Sequence, residues 1–186
     1  MKVIVVGAGV AGLTAGYLLD QSGVEFEVLE ARSEYGGRVR KLEGFADFPL
    51  DLGAEWIHRW ISARPPIFAE LLQGDDRHFP TFQEHLKTIS QWKGEKLRPR
   101  NWWRYIPQPT DLKFVDSTWF DALNRLVTPG VSKHLHLDTP VTSIDYSANV
   151  VSVDTLSGEK FEADRVLVTT PISMLQRGDI HFNPDL

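Results

Sequence analysis

The chain has 186 residues, with 20 Lys and Arg set against 25 Asp and Glu for a formal net charge of −5. That length suits one domain with a small appendage, and the acidic balance lacks the basic field that nucleic-acid binding requires. There are no cysteines, which excludes disulfides, thiolate metal sites and a cysteine nucleophile, and fits a reducing, cytoplasmic setting.

The first predicted element is Val3–Val6, four consecutive β-branched residues that suit a strand buried on both faces of a parallel sheet. Gly7 ends it. Val10, Leu13, Tyr17 and Leu18, with Ala11 and Ala15 between them, have helical periodicity, and Gly23 sits where a helix C-cap glycine belongs. Phe26, Val28 and Leu29 make a second strand that ends at Glu30. Strand, tight turn, helix and strand form a βαβ crossover. Val3–Leu19 is apolar, but glycines interrupt it and it lacks the basic lead-in and cleavage site of a signal peptide. No segment is long and apolar enough to predict a membrane span.

Residues 31–60 read as loop, with Gly36-Gly37 and a short apolar stretch from Phe48 to Ile57. Pro65-Pro66 can start a helix running through Leu72 to Gly74, and residues 75–113 are the least regular part. Thr118 with Asp121 resembles a capping box for a helix through Trp119, Phe120, Leu123, Leu126 and Val127, ended by Pro129-Gly130. Three β-like stretches follow, at Leu135–Leu137, Val141–Tyr146 and Val150–Asp154, and Phe161–Ala163 can pair back as an antiparallel meander. Val166–Val168 is again continuously apolar, as for a return to the parallel sheet.

The chemistry starts with Gly7-x-Gly9-x-x-Gly12, directly after a strand and opening a helix. Gly7 allows the tight turn, Gly9 lets the backbone approach a pyrophosphate, and Gly12 lets helix and strand pack closely. The first helical turn, with Ala11, supplies unpaired N–H groups and a positive dipole end for phosphate. Glu30 lies 18 positions past Gly12, where its carboxylate can accept from both ribose hydroxyls and repel a 2′-phosphate, disfavouring NADP. A purely structural glycine turn is the alternative, and the motif alone does not separate FAD from NAD.

Glu30-Ala31-Arg32 leads into Gly36-Gly37-Arg38-Val39, a second close approach of backbone with an arginine that can offset pyrophosphate charge. With VIVVGAGVAGLTAGYLL and EVLEARSEYGGRV, the sequence resembles the flavin-containing amine oxidase family. Asp51-Leu52-Gly53-Ala54-Glu55-Trp56-Ile57-His58 resembles the family segment that runs beside the flavin ring. Thr139-Pro140-Val141, Val151-Ser152-Val153 and Ala163 through Pro171 also follow its pattern. The resemblance implies FAD as cofactor, held by Gly7, Gly9, Ala11, Gly12, Glu30, Ala31, Arg32, Gly37, Arg38, Gly53, Ala54, Glu55 and Trp56. It also implies Val141 against the adenine and Thr170 near the cofactor, although without the resemblance both are simply strand residues.

The expected architecture is therefore α/β: a Rossmann-like FAD-binding domain over 1–58 and 114–186, with a parallel sheet plus a small antiparallel β-meander. Residues 59–113 are expected to be a reduced, lid-like remnant of a substrate domain. The implied reaction is oxidation of a primary or secondary amine, or an amino acid, to an imine, with O2 as the reoxidant. Family members are more than twice this length, and their second half carries the substrate-domain sheet, a water-positioning lysine and an aromatic cage, none of which has a counterpart here. Two alternatives stay open: an FAD-binding module completed by another chain or another copy, and a degenerate Rossmann domain that binds NAD.

His58 falls where polyamine-oxidase-like members place a histidine near the substrate amine, although a loop histidine at a domain edge is an equal reading. No catalytic residue is otherwise identified. His134 and His136 would share one strand face, but no third ligand has metal-site spacing. Trp92–Tyr105 interleaves aromatic and basic residues, which fits a packed loop or a chain contact better than single-stranded nucleic acid.

Overall fold

The computed structural model describes residues 1–55, 57–58, 81–83, 90–99, 111–114 and 116–186. They fall into two compact units, Met1–Arg40 with Phe120–Leu186, and Lys41–Trp119.

The first unit contains β1 (Lys2–Val6), α1 (Val10–Gln21) and β2 (Glu25–Leu29), then α2 (Trp119–Leu126), which begins at its edge, and α3 (Thr128–Val131). After these come β3 (Leu135–His136), β4 (Val141–Asp145), β5 (Val151–Thr155), β6 (Lys160–Ala163), β7 (Arg165–Val168), α4 (Ile172–Arg177) and β8 (His181–Asn183). Four strands form a parallel sheet in the order β3-β2-β1-β7, with Val6 level with both Leu29 and Val168. The β-branched run of β1 is buried from Val3 to Val6, as a central parallel strand requires. A second sheet has the order β6-β5-β4-β8, antiparallel except that β8 runs parallel to β4.

The two sheets face each other across one core. Ile4, Val6 and Leu29 meet Val141, Ile144, Val153, Ala163 and Ile180 there. On the opposite face of the parallel sheet, α1 turns Gly12, Leu13 and Gly16 inward. A Cβ on Gly16 would lie 3.1–3.2 Å from Val131 and Phe26, so the glycine permits close approach of α1 to both. Helix α1 ends in a Schellman arrangement: Gly23, at φ +64°, donates its N–H to the Asp20 carbonyl, and Val24 donates to Leu19, both at 3.0 Å.

The parallel strands and the meander agree with the sequence reading, and several local expectations need correction. Pro129 does not end a helix. Helix α2 stops at Leu126, and Pro129 stands in the first turn of α3, where its missing N–H costs nothing. The stretch at Leu135 does not run on toward the meander but adds to the parallel sheet beside β2. His134 and His136 do not share a strand face: His134 ends a short 3-10 turn and packs its ring 4.6 Å from Phe26, while His136 pairs with Glu27. Helix α4 and strand β8 have no counterpart in the expected elements.

Strand Val39–Leu42 leads out of the first unit and forms a ribbon with Leu50–Gly53, inside the stretch expected to be loop. In the second unit, Asp111–Phe114 lies between Ile57–His58 and Thr81–Gln83, antiparallel to both. Ser90–Lys93 pairs with Lys96–Pro99 as a hairpin, so the described part of residues 75–113 contains regular strands that its composition does not suggest. The backbone N–H of Trp119 donates to Asp51 Oδ1 at 2.9 Å, and its ring stands edge-on to Phe114 at 5.3 Å. The helix expected after Pro65-Pro66 lies outside the described residues.

Candidate dinucleotide-binding site

The site forms where β1, β2 and β7 end at the same edge of the parallel sheet, the edge where open α/β sheets bind ligands. Gly7 leaves β1 at φ +102°, a conformation that a side chain would strain, and its N–H donates to the Leu29 carbonyl at 2.7 Å. The first α1 hydrogen bond runs from Leu13 N–H to the Gly9 carbonyl at 2.9 Å. The N–H groups of Val10, Ala11 and Gly12 precede it and have no intrahelical acceptor. No side chain caps this helix end, and its first turn holds no acidic residue. It is a donor-rich, positively polarised terminus of a kind that takes phosphate.

Gly12 and Gly9 are glycines for different reasons. A Cβ on Gly12 would lie 1.8 Å from the Gly7 carbonyl oxygen and 2.9 Å from Thr169 Oγ1, so the fold itself forbids one. Gly9 has an ordinary φ of −73°, and a Cβ there would meet nothing within 4 Å. Neither backbone strain nor packing explains Gly9. The open space in front of it is what a pyrophosphate would fill.

Glu30, at the end of β2, points back to the turn. Its Oε2 accepts the Ala8 N–H at 2.7 Å, and its Oε1 accepts the Arg32 N–H at 3.0 Å. A carboxylate has about four acceptor positions, so each oxygen retains one for a ribose hydroxyl. The second glycine pair lies against the first. Gly36 N–H donates to the Ala8 carbonyl at 2.8 Å, Gly9 and Gly36 form a parallel bridge, and a Cβ on Gly37 would stand 3.1 Å from Gly9 Cα. Ala31, Arg32 and Arg38 are exposed, and neither arginine has an ion-pair partner among the described residues. Both guanidiniums are available to an anionic ligand.

From the other side, Asp138 N–H donates to the Arg32 carbonyl at 3.0 Å and Thr139 N–H donates to that of Glu30 at 2.8 Å. These bonds tie the start of β4, with buried Val141, to the backbone of the acid. At the end of β7, Thr170 Oγ1 is buried with no hydrogen-bond partner among the described residues. An orphaned buried hydroxyl costs about 1–3 kcal/mol unless something completes it. The open Gly9, the unused donors of α1 and this hydroxyl all fit an adenine dinucleotide.

The remaining sequence-predicted positions fall in the stretch of chain that forms the second unit. Gly53, Ala54 and Glu55 belong to the second unit, at and just after the ribbon strand Leu50–Gly53. Trp56 lies outside the described residues, and His58 is described through its strand, paired with Asp111. Among the described residues no group of His, Asp and Glu could hold a metal ion, and no helix is long and apolar enough to cross a membrane.

Sequence reasoning missed three supports. Thr169 places its hydroxyl 3.0 Å from the Val6 carbonyl oxygen and 3.1 Å from that of Gly7. Tyr35 stacks on Phe120 with centroids 5.6 Å apart and donates its hydroxyl to Asn124 Oδ1 at 2.6 Å, which fixes the approach to Gly36-Gly37. A Cβ on Gly36, at φ +98°, would sit 3.2 Å from the same Phe120 ring. The doubled threonine after β7 is the cue that the sequence offers.

Comparison with known proteins agrees with this geometry. Residues 5–72 match the family described as NAD(P)-binding Rossmann-like domain, and residues 120–186 match that of flavin containing amine oxidoreductase. Over residues 120–186 the chain thus matches the flavin-containing amine oxidase family, and its relatives include proteins named as polyamine oxidases and lysine-specific histone demethylases. Its cofactor is accordingly FAD. The chain is similar over its whole length to lysine-specific histone demethylase 2 of Homo sapiens, at 26% identity and across 32% of that protein. It is 41% identical to probable polyamine oxidase 4 of Arabidopsis thaliana over 107 residues, 53% of this chain and 21% of the other. Polyamine oxidase 2 of Arabidopsis thaliana is 39% identical over 72 residues, 38% of this chain and 14% of that protein. The chain spans about a third of the length of the demethylase that it matches from end to end.

Proposed function

We propose that this chain is the FAD-binding portion of a flavoenzyme that oxidises a primary or secondary amine, or an amino acid, to an imine. The observation that carries the reading is Gly9, open to space beside the unused N–H donors of α1 and facing neither strain nor packing. When bound, the flavin supplies the two-electron acceptor for the amine C–H bond, with O2 as the reoxidant. The protein's own part is positioning. The first turn of α1 with Arg32 and Arg38 neutralises the pyrophosphate, Glu30 takes the ribose hydroxyls, and Val141 borders the adenine. Thr170 gives its hydroxyl a partner on the cofactor, and His58 accepts a hydrogen bond from the substrate amine. The names of the relatives point to polyamines and methylated histone lysine as the amine classes to try first.

The test has two stages. Purified protein incubated with FAD should become yellow and give a saturable calorimetric isotherm; a colourless protein without binding heat overturns the reading. Anaerobic addition of a polyamine, a monoamine, an amino acid or a methyl-lysine peptide should then bleach the flavin absorbance. Binding without bleaching by any amine class would remove the oxidase step and leave the cofactor site.

A second reading rests on the same glycine turn. It is an FAD-binding module whose flavin-facing side is completed by another polypeptide or another copy of this chain. Sedimentation with FAD present separates the two: a catalytically active monomer excludes the assembly reading. Tighter binding of NADH than of FAD would favour a Rossmann domain for NAD instead.

A further inference from the structure

One peptide plane in the glycine turn is held from both sides. The amide of Ala8 donates to Glu30 Oε2 at 2.7 Å, while the carbonyl of the same peptide, on Gly7, lies 3.1 Å from Thr169 Oγ1. Thr169 Oγ1 also lies 3.0 Å from the Val6 carbonyl oxygen, but that oxygen already accepts the Thr169 backbone N–H at 2.9 Å. A hydroxyl has one proton to give. The Gly7 carbonyl has no backbone donor assigned to it among the described residues, so it is the acceptor that needs the proton.

The orientation of this plane matters because everything that meets the pyrophosphate follows it. Rotation of the Gly7–Ala8 peptide would swing the Ala8 carbonyl away from Gly36 N–H and re-aim Gly9 and the first N–H groups of α1. Gly7, at φ +102°, has no side chain to resist that rotation. The same hydroxyl stands 2.9–3.0 Å from where Cβ atoms on Gly12 and Gly7 would be, so it also fills the floor beneath the turn.

We propose that Thr169 is a positioning residue for the pyrophosphate: its hydroxyl and the Glu30 carboxylate clamp the Gly7–Ala8 peptide and hold the phosphate-binding turn ready before the cofactor arrives. Thr169 touches the turn and not the ligand, and Glu30 thereby has a structural task that is separate from reading the ribose. The inference rests on the reading of this turn as the FAD site.

The test compares Thr169→Ser, Thr169→Val and Thr169→Ala in the full chain by FAD titration, with circular dichroism to confirm folding and amide hydrogen exchange at Ala8 as an independent readout. Thr169→Ser should bind FAD within about twofold of the parent, whereas Thr169→Val and Thr169→Ala should bind about tenfold more weakly, the loss of one net hydrogen bond. In both weakened variants the Ala8 amide should exchange faster without FAD present, and in Thr169→Ser it should not. Equal FAD affinity across the three variants overturns the proposal, as does unchanged Ala8 exchange in Thr169→Ala. The exchange measurement needs no cofactor. If the parent itself fails to bind FAD, the cofactor reading falls, while protected Ala8 in the parent and its loss in Thr169→Ala would still show the clamp.

Discussion

Gly9→Ala and Gly12→Ala place the same methyl group three residues apart, and the structure predicts opposite outcomes. At Gly12 the new Cβ would stand 1.8 Å from the Gly7 carbonyl oxygen, backbone that cannot yield without moving β1 or α1. Overpacking costs about 1–3 kcal/mol, and a 1.8 Å contact with backbone puts this site at the upper end or above, beyond the roughly 1 kcal/mol that alanine gains over glycine inside a helix. With about 2–4 °C of melting temperature per kcal/mol for a chain of this size, Gly12→Ala should melt at least several degrees lower. At Gly9 the Cβ meets nothing within 4 Å and the φ of −73° suits alanine. The main penalty is the poorer N-cap residue, about 0.5 kcal/mol, so the melting temperature should move by roughly 2 °C or less. FAD affinity should nevertheless fall at least about tenfold in Gly9→Ala, because the methyl occupies the space kept for the pyrophosphate. Differential scanning calorimetry without FAD, followed by FAD titration, reads both quantities. A Gly9→Ala protein that binds FAD like the parent would refute the assignment of that space. One destabilised as much as Gly12→Ala would show that Gly9 serves packing after all.

Glu30→Gln should destabilise the chain by about 1–3 kcal/mol even without cofactor, since one of the two backbone N–H donors at Ala8 and Arg32 would then face an NH2 group; urea denaturation measures it, and an unchanged midpoint would limit Glu30 to the ligand. Asp145 accepts from the Ser147 hydroxyl and N–H and from Asn183, which lowers its pKa from 3.8 to about 2. A depressed carboxylate stabilises above its unfolded pKa and loses that contribution as pH falls through the folded value. The protection of β8 amides against exchange, relative to an unfolded chain at the same pH, should therefore fall between about pH 4 and pH 2, and Asp145→Asn should abolish most of that pH dependence. Tyr35→Phe keeps the stacking on Phe120 but loses the bond to Asn124; because that bond is exposed, stability should change by less than about 1 kcal/mol, while the Gly36 amide exchanges faster.

The first thirty residues were legible because their signals are local. Four β-branched residues, three glycines at fixed spacing and a C-cap glycine each act within one turn or strand, and β1, α1 and β2 follow them closely. Strand β3 was not legible as a member of the parallel sheet. Two residues pairing with Val28 and Leu29 across more than a hundred positions leave no periodicity to read. Pro129 was misread by applying half of a rule: proline cannot continue a helix, but it readily begins one. Helix α4 had ordinary signals, Pro171 at its start and Gly178 at φ +69° past its end, but six residues give too few turns for a hydrophobic face to show. At the site, the glycines and Glu30 were visible as a motif. Thr169 was not, because its task is to hold the carbonyl of a residue 162 positions away.

That distance bears on why the acid at the end of β2 is a glutamate. Its carboxylate must reach the Ala8 amide on the neighbouring strand's turn and the Arg32 amide two residues ahead at once, at 2.7 and 3.0 Å. Aspartate, shorter by one methylene, could keep the near bond to Arg32, an Asx-type contact, but would withdraw from Ala8. The Gly7–Ala8 peptide would then be held by Thr169 alone. Glu30→Asp should therefore retain the charge presented to the ribose while loosening the turn, so its loss of FAD affinity should resemble that of Thr169→Ala. Combining the two substitutions tests this directly. If both residues act through one peptide, the double variant should lose less than the sum of the single losses, by up to the roughly 1.4 kcal/mol of one tenfold loss. Strict additivity would mean that Glu30 acts on the ribose alone and that the turn does not depend on it.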